Sequence, residues 1–287
     1  MSSTKEIRNK IKSIQNTKKI TKAMEMVAAS KMKKVQDSMN RSRPYNEKIK
    51  DVIRNISEGM LEYKHPYVTS CNEKNIGVII ISTDKGLCGG LNVNLFKHFM
   101  KNVLKLHDSN IGIKAAIIGK KGELFANKIN LNVVGSITEL GDKPKVADIL
   151  GIIKIMVDLY LSKNIDSIYI LYNKFVNTMS QIPTYEKIIP IQNKNFDFNK
   201  KKIWDYLYEP EAEKLMDLLM KRYIESLVYQ AIVENIACEQ AARMVAMKSA
   251  TDNAGDLINT FKLIYNKARQ ASITQELSEI VAGADAV

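Results

Sequence analysis

The sequence predicts an α/β protein in which the N- and C-terminal segments form a long antiparallel two-helix coiled coil, with an α/β domain between them in the chain. Two observations support this prediction. Apolar residues recur at alternating spacings of three and four at both ends of the 287-residue chain, as they do in coiled coils. In the middle, short apolar runs alternate with helical segments, which is typical of a mainly parallel sheet. The predicted divisions are residues 1–60, 61–210 and 211–287.

The first long helix is predicted over residues 2–57, because two heptad positions stay in phase along this segment. The first position contains Ile7, Ile14, Thr21, Ala28, Val35, Ser42, Ile49 and Ile56. The second position contains Ile11, Lys18, Glu25, Met32, Met39, Asn46 and Ile53. Pro44 interrupts the pattern and is expected to kink the helix or to remove one of its hydrogen bonds.

The second long helix is predicted over residues 211–285, where the same alternation of apolar residues returns. Neither helix can bury its apolar stripe alone, so the two are expected to pack on each other. The chain leaves one helix near residue 57 and enters the other near residue 211, so the pair is antiparallel and facing residue numbers sum to about 268. This register pairs Ile7 with Phe261, Ile11 with Leu257, Ile14 with Ala254, Glu25 with Arg243, Val35 with Val233, Met39 with Tyr229, Ile49 with Leu219 and Ile53 with Leu215.

The C-terminal helix outruns its partner in this register by roughly 20 residues. The unpaired segment carries the apolar side chains Ala271, Ile273, Leu277, Ile280 and Val281. A lone helix of this length is marginally stable in water. Either the segment frays or it enters a sleeve made by another protein, and the apolar side chains that would otherwise be exposed favour the sleeve.

The middle of the chain is predicted to form a Rossmann-like α/β domain. Strands are predicted at residues 75–83, 113–119, 131–137 and 166–175, with a further strand or hairpin within residues 174–190. Helices are predicted at residues 91–107, 120–128 and 147–162. The first strand is almost continuously apolar, as expected of a strand that is buried on both faces of a parallel sheet.

The loop after the first strand, TDKGLCGGLN at residues 83–92, lies where phosphate-binding loops lie in such domains. Its glycines match neither GxxxxGK[ST] nor GxGxxG, so a tight strand-to-helix turn is favoured over a nucleotide site. Asp84 beside Cys88 is not a catalytic constellation. The histidines are too dispersed for a metal site: they are His65, His98 and His107. The sequence therefore predicts no catalytic residue, no metal and no cofactor.

The formal net charge of the chain is +12, and it is unevenly distributed, with +9 over residues 1–60 and −3 over residues 211–287. The lysines of the first helix could contact nucleic-acid phosphates: they include Lys10, Lys12, Lys18, Lys19, Lys22, Lys31, Lys33 and Lys34. No RNP motif, basic zipper or aromatic platform accompanies them, so a solvated or partner-facing side of a coiled coil is favoured. The alternatives are a nucleic-acid-binding coiled coil and an α/β enzyme that uses the loop after the first strand.

The start of the chain bears on localisation. It carries a charge every few residues and lacks the apolar region of a secretory signal, and no apolar run reaches the ~20 residues of a membrane span. The helical pattern begins at once, which leaves no room for a transit peptide. These features favour a bacterial cytoplasmic protein.

Several segments resemble one protein family. ITKAMEMVAASKM, at residues 20–32, closely resembles the N-terminal helix signature of the gamma subunits of rotary ATP synthases. ENIACEQAARMVAMKSATDNAGDLI and YNKARQASITQELSEIVAGA, at residues 234–258 and 265–284, resemble their C-terminal helix. STDKGLCGGLN and NKFVNTMSQ match their middle domain, and SRPY and LEYKHPY also match. The matches run in order through the whole chain.

The resemblance implies a non-catalytic central rotor shaft of a proton-translocating ATP synthase, which couples rotation of the membrane c-ring to ATP synthesis or hydrolysis in the beta subunits. It implies the alpha, beta, epsilon and delta subunits and the c-ring as partners, and no nucleic acid. Membrane contact would be only through the c-ring. The expected location is therefore peripheral, on the cytoplasmic face of the bacterial inner membrane.

The resemblance also implies three contact regions. The beta-subunit contact comprises Met24, Lys31, Lys33, Arg243, Arg269, Gln270 and Thr274. The contact with epsilon and the c-ring comprises Tyr206, Tyr208 and Glu209. The apolar bearing tip comprises Ile273, Leu277, Ile280 and Val281. Charge pairs give orientation more than affinity, which suits a shaft that must move between equivalent positions.

Overall fold

A computed structural model describes residues 4–59, 67, 73–107, 112–190 and 212–284 of the chain. Its elements are α1 (Thr4–Gly59), β1 (Asn75–Ile81), α2 (Leu91–His107), β2 (Gly112–Ile118), α3 (Lys120–Lys128), β3 (Asn132–Ile137), α4 (Val146–Leu161), β4 (Ser167–Phe175), β5 (Gln181–Ile189) and α5 (Ala212–Ala284). The predicted helices and strands are confirmed, with ends that differ by at most two residues. None of the helices in the described ranges is long and apolar enough to cross a membrane.

The chain divides into two compact units. The larger unit is residues 30–242, and the smaller unit combines residues 1–29 with residues 243–287. The larger unit contains the sheet and the segments of α1 and α5 that lie next to it in sequence. The smaller unit contains the first part of α1 and the last part of α5.

The sheet in the larger unit has five strands in the order β3-β2-β1-β4-β5. The first four strands are parallel, and β5 pairs antiparallel with β4 after a short hairpin turn. A helix separates each pair of consecutive parallel strands in the chain, as parallel pairing requires. The order of the four parallel strands is that of the first four strands of a doubly wound dinucleotide-binding fold, so the predicted Rossmann-like domain is confirmed.

Both faces of the sheet are covered, which explains why β1 is apolar at nearly every position. Ile76, Val78 and Ile80 lie on one face and pack in a cluster with Leu95 and Phe99 of α2. Alternate residues of β1 reach the other face. Ile79 and Ile81 belong there to a larger cluster that also contains side chains of α1, α4 and α5.

The segments of α1 and α5 in the larger unit contribute their apolar stripes to that larger cluster. Met32, Val35 and Met39 of α1 are buried in it, as are many side chains of α5, including Val233. Val35 and Val233, which the sequence pairs, also line the same cavity. Pro44 lies inside α1, so the helix does not end there, and the expected kink stays a prediction.

In the smaller unit α1 and α5 pack antiparallel, in a register one turn away from the predicted one. Thr21 Oγ1 lies 2.8 Å from Thr251 Oγ1, and both side chains are buried. Lys18, three residues earlier, approaches Gly255 so closely that an added Cβ there would lie 2.9 Å from Lys18 Nζ. Facing residue numbers therefore sum to about 272, a shift of roughly one helical turn. Residues four apart share a helix face, so the apolar pattern fits both registers.

The last part of α5 continues as a helix beyond the paired region. Ile7 of α1 is buried, and Ala268 is the last half-buried residue of α5. Every described side chain from Arg269 to Ala284 is exposed. The predicted unpaired apolar segment is therefore present, and it is helical.

Candidate partner interfaces and the crevice of the sheet

In doubly wound folds, ligands bind in the crevice at the carboxyl ends of the strands where the strand order reverses, which here is between β1 and β4. Side chains of α5 occupy this crevice. Asn235 Nδ2 donates a hydrogen bond to the backbone oxygen of Ser82, just after β1 (3.4 Å). Asn173 Nδ2, in β4, donates to Asn235 Oδ1 (2.9 Å). The place that would hold a nucleotide is thus filled by the chain itself.

The loop between β1 and α2 is held by its own hydrogen bonds. Asn92 Oδ1 accepts from the backbone N–H of Thr83 (3.3 Å), and Asn92 Nδ2 donates to Thr83 Oγ1 (2.7 Å). Leu87 and Gly89 have φ values of 62° and 59°, so the chain reverses sharply before α2 begins. This geometry is the tight strand-to-helix turn favoured by the sequence.

The N-terminus of α3 lies next to the same loop, and the chain satisfies its donors as well. The backbone N–H of Lys120 donates to Asp84 Oδ1 (3.0 Å). The N–H of Gly122 donates to Ser82 Oγ (2.7 Å). Helix N-termini attract anions through such free N–H groups. Here a carboxylate and a hydroxyl of the protein take that role, which disfavours a phosphate site.

Catalytic and metal chemistry have little support among the described residues. No group of three or more His, Cys, Asp or Glu side chains in the described ranges could hold a metal ion. Cys88 and Cys238 are not joined to each other by a disulfide, and both are buried in one small cluster. Burial, and then the charge of Glu234, raise the pKa of the Cys238 thiol, so it is protonated and a poor nucleophile near neutral pH. Cys71 and His65 lie outside the described residues.

The residues assigned by resemblance to the beta-subunit contact differ in exposure. Met24 and Lys31 are half-buried, Lys33 is exposed and Arg243 is buried. Glu25, which the sequence places opposite Arg243, forms an ion pair with Lys22 of its own helix (3.1 Å). The contact between Glu25 and Arg243 stays a prediction.

Lys31 is paired within the chain. Its Nζ lies 2.6 Å from Asp142 Oδ2, in the connection between β3 and α4. Gln240 Nε2 donates to Asp142 Oδ1 over 3.4 Å, so one carboxylate contacts both long helices. Lys34 and Lys143 line the cavity of about 660 Å³ beside this pair. The surface is therefore cationic even with Lys31 neutralised.

The last turns of α5 present a continuous exposed surface. Arg269, Gln270 and Thr274 are exposed, and Thr274 Oγ1 donates to the backbone oxygen of Gln270 (2.9 Å). The predicted bearing residues are grouped on successive turns of this surface, which is the informative feature of exposed apolar side chains: Ile273 is 48%, Leu277 57%, Ile280 67% and Val281 60% exposed. We call residues 269–284 the tip.

Sequence reasoning missed Asp142, Asn173 and Asn235. Asn173 carried a usable signal, because asparagine is disfavoured inside a strand and it interrupts the apolar run of β4. Asn235 likewise interrupts a mostly apolar stretch of α5, which is a sequence signal that could have identified it. Asp142 lies in a loop and carried none. The predicted contacts with epsilon and the c-ring, Tyr206, Tyr208 and Glu209, lie outside the described residues.

The fold and these surfaces define a class of protein. A sheet whose crevice is filled by side chains of α5, and a helix α5 whose last turns expose apolar side chains, fit a subunit that works through its partners. Comparison with known families agrees: residues 3–287 match the family model described as ATP synthase. The chain belongs to the gamma subunit family of ATP synthase.

Solved structures show the same fold. The chain is 26% identical to one from the central stalk and c-ring of the Tetrahymena thermophila mitochondrial ATP synthase, with a TM-score of 0.59, covering 80% of this chain and 99% of that one. A chain of the Euglena gracilis mitochondrial ATP synthase rotor in rotational state 1 is 18% identical, with a TM-score of 0.65 and coverage of 94% and 98%. A chain from its OSCP, F1 and c-ring assembly in rotational state 3 is 19% identical, with a TM-score of 0.70 and coverage of 99% and 94%.

The family fixes the general role. Its members are a non-catalytic subunit of a proton-transporting ATP synthase, and the chain is accordingly a rotor shaft of the central stalk.

Proposed function

We propose that this chain is the central shaft that couples turning of the membrane c-ring to ATP synthesis or hydrolysis in the beta subunits. Its α/β domain, residues 61–210, would receive torque from the c-ring with epsilon. The coiled-coil helices, residues 1–60 and 211–287, would carry the torque into a ring of alpha and beta subunits. The shaft would be asymmetric in that ring, so that its rotation changes the state of each beta subunit in turn.

The exposed apolar tip is the observation that carries this proposal. A helix with half-exposed Ile273, Leu277 and Ile280 loses stabilisation in water, because each apolar side chain gains roughly 1.5–3 kcal/mol on full burial. An apolar sleeve formed by alpha and beta would recover that free energy. Apolar contacts are non-directional, so the tip could turn in the sleeve without breaking many hydrogen bonds.

The cationic surfaces support the contact with the beta subunits. Lys33 is exposed, and Lys34 and Lys143 line the cavity beside Lys31. Exposed charge pairs contribute about 0–1 kcal/mol each, so acidic loops of beta could orient the shaft without trapping it in one position. Arg269 and Gln270 provide further exposed polar groups at the start of the tip.

Further partners and the location follow from the same proposal. Epsilon and the c-ring would bind at Tyr206, Tyr208 and Glu209, and delta would be part of the same complex. Contact with the membrane would be only through the c-ring, on the cytoplasmic face of a bacterial inner membrane. No binding of nucleic acid is part of this function.

The tip can be tested by charging it. Leu277→Asp is expected to weaken binding of the chain to purified alpha and beta subunits by roughly tenfold or more, because an unpaired carboxylate would enter an apolar sleeve. Leu124→Asp is a matched control: Leu124 of α3 is 56% exposed and Leu277 is 57% exposed. Binding is measured by titrating labelled chain into the alpha–beta mixture. Equal affinities for the two variants would show that the tip is not in an apolar sleeve.

A further inference from the structure

We propose that the crevice between β1 and β4 is a joint that fixes the height and rotation of α5 on the sheet, with Asn235 as its positioning residue. This inference rests on the proposed function, in which torque passes between the α/β domain and the helix. The joint is the crevice that holds ligands in doubly wound folds, used here to hold part of the same chain.

Asn235 joins the two central strands through both ends of its carboxamide. Its Oδ1 accepts from Asn173 Nδ2 (2.9 Å) and from the Asn173 backbone N–H (3.4 Å). Its Nδ2 donates to the backbone oxygen of Ser82 (3.4 Å). Asn173 is fully buried and Asn235 is 1% exposed. A single side chain of α5 is therefore bound to the end of β1 and to β4 at once.

Cys238, one turn further along α5, makes a second contact with Asn173 of β4. Cys238 Sγ donates to the backbone oxygen of Asn173 (3.2 Å), and Cys238 is fully buried. Residues three apart lie on one face of a helix. Asn235 and Cys238 thus hold two successive positions of α5 against Asn173, which defines both the rotation of the helix and its height.

Directional bonds matter here because the surrounding contact is apolar. Apolar packing is non-directional and tolerates sliding or rotation with gradual loss of contact. A buried amide that moves out of position leaves its partners unsatisfied in a medium of low dielectric constant, which is costly. A single buried Asn sets the register of coiled coils in this way, and Asn235 does the same between a helix and a sheet.

A further polar contact joins both long helices to the connection between β3 and α4, and it is more exposed to water. Lys31 and Asp142 are 39% and 44% exposed, and such pairs contribute little because water screens them. Gln240 reaches Asp142 only over 3.4 Å. Of these two polar contacts, the one in the crevice is the more buried and therefore the more costly to break.

The test compares Asn235→Asp with the wild-type chain in the complete membrane-bound synthase. The substitution keeps the size and the acceptor toward Asn173, but it replaces the donor toward Ser82 with a buried carboxylate oxygen that the Ser82 backbone oxygen repels. Two rates are measured: ATP synthesis under an imposed proton gradient, and ATP hydrolysis with the gradient collapsed. We expect a several-fold loss of the ATP synthesis rate with the hydrolysis rate unchanged. During synthesis the imposed gradient makes the α/β domain transmit torque to α5 against resistance, so a weakened joint lets α5 shift on the sheet. During hydrolysis without a gradient this resistance is small.

Asn92→Asp is the matched control. Asn92 also uses both ends of its carboxamide, but its hydrogen-bond partners, Thr83 and Cys88, belong to the loop between β1 and α2 and not to α5. This variant should lower the melting temperature of the chain while leaving the ratio of synthesis to hydrolysis at the wild-type value. If Asn235→Asp does not assemble, Cys238→Ala, which removes only the thiol donor, takes its place with the same expected result.

The outcomes separate the joint from the shaft. The joint is overturned if the ratio of ATP synthesis to hydrolysis in the Asn235→Asp complex equals the wild-type ratio. The same holds for the Cys238→Ala complex where that variant replaces Asn235→Asp. An equal loss of ratio in Asn92→Asp also overturns the joint, since the effect would then come from general destabilisation. If the complex with the wild-type chain makes no ATP under a gradient that a reference synthase uses, the proposed function itself fails.

Discussion

Burial controls the ionisation of several side chains at the level of single residues. The thiol of Cys238 has its pKa raised from 9.0, mainly by burial and then by Glu234. Tyr172 behaves similarly, since burial first and then Glu186 and Glu234 raise its pKa above the ordinary 10.0. Burial and then Glu186 raise the pKa of Tyr223 to about 12. These groups stay neutral in the folded chain at pH values where the unfolded chain ionises.

Stability is therefore expected to fall at alkaline pH. The contribution of these groups is complete well below pH 9.0, where the unfolded thiol is half ionised, and it is lost as the pH rises toward the folded values. Each group can contribute a slope of up to about 1.4 kcal/mol per pH unit. Denaturant titrations at pH 8 and above measure the free energy of unfolding. Cys238→Ala and Tyr172→Phe should each flatten the decline, and an unchanged slope in both would contradict the burial argument.

Gly119 shows how one position can constrain the backbone. Its φ is +99°, and an added Cβ would lie 2.5 Å from the backbone oxygen of Ser82. Gly119→Ala is expected to destabilise the chain by more than about 2 kcal/mol, through strain and through this clash. Gly151, inside α4, has nothing within 4 Å of an added Cβ.

Gly151→Ala is therefore the control, with an expected gain of about 0.5–1 kcal/mol from helix propensity. Thermal unfolding of both variants against the wild type measures the difference. If Gly119→Ala melts at or above the wild-type temperature, the close approach of Gly119 to Ser82 is not required.

At the level of elements, the sequence predicts where helices and strands lie but not how they are aligned. The ends of α2 and α3 follow from periodicity and turn residues, which are local signals. The alignment of α1 on α5 depends on contacts far apart in sequence. The apolar stripe accepts a shift of one turn, and the bond between Thr21 and Thr251 distinguishes the two registers. The contacts of the α5 side chains in the crevice could not be predicted either, because an asparagine in a helix does not indicate which residue of the sheet it contacts.

The threonine pair gives a prediction about register. Thr21→Val and Thr251→Val should each lower the free energy of unfolding by about 1 kcal/mol, because each leaves one buried hydroxyl without its partner on the other helix. The double variant removes both hydroxyls, so its loss should be smaller than the sum of the two single losses. Thr260→Val is the control, since the Thr260 hydroxyl is exposed and bonds only to Asp256 O of its own helix (3.0 Å). Chemical unfolding of the full chain supplies the four free energies. Strict additivity would mean that the two hydroxyls do not interact.

At the level of the whole molecule, charge and exposure indicate a protein built to contact others. The chain carries a net charge of +12, and its exposed cationic side chains include Lys33 of α1 and Arg269 of α5. The apolar pattern alone predicted that Leu277 enters a sleeve, whereas a partner contact at Arg269 was predicted only through family resemblance. Both contacts stay predictions, because these exposed side chains have no described partner within the chain. The sequence of one chain predicts which of its side chains are exposed, but it does not predict which partner binds them.

The most direct test of the shaft is rotation. A bead is attached at Met179, which is 77% exposed in the turn between β4 and β5, through Met179→Cys in a Cys71→Ser background. Purified alpha and beta subunits assembled on this chain are fixed to a surface and supplied with ATP. The account predicts that the bead turns in one direction, that it stops without ATP, and that the chain alone hydrolyses nothing. A complex that assembles and hydrolyses ATP while the bead stays still would contradict the shaft.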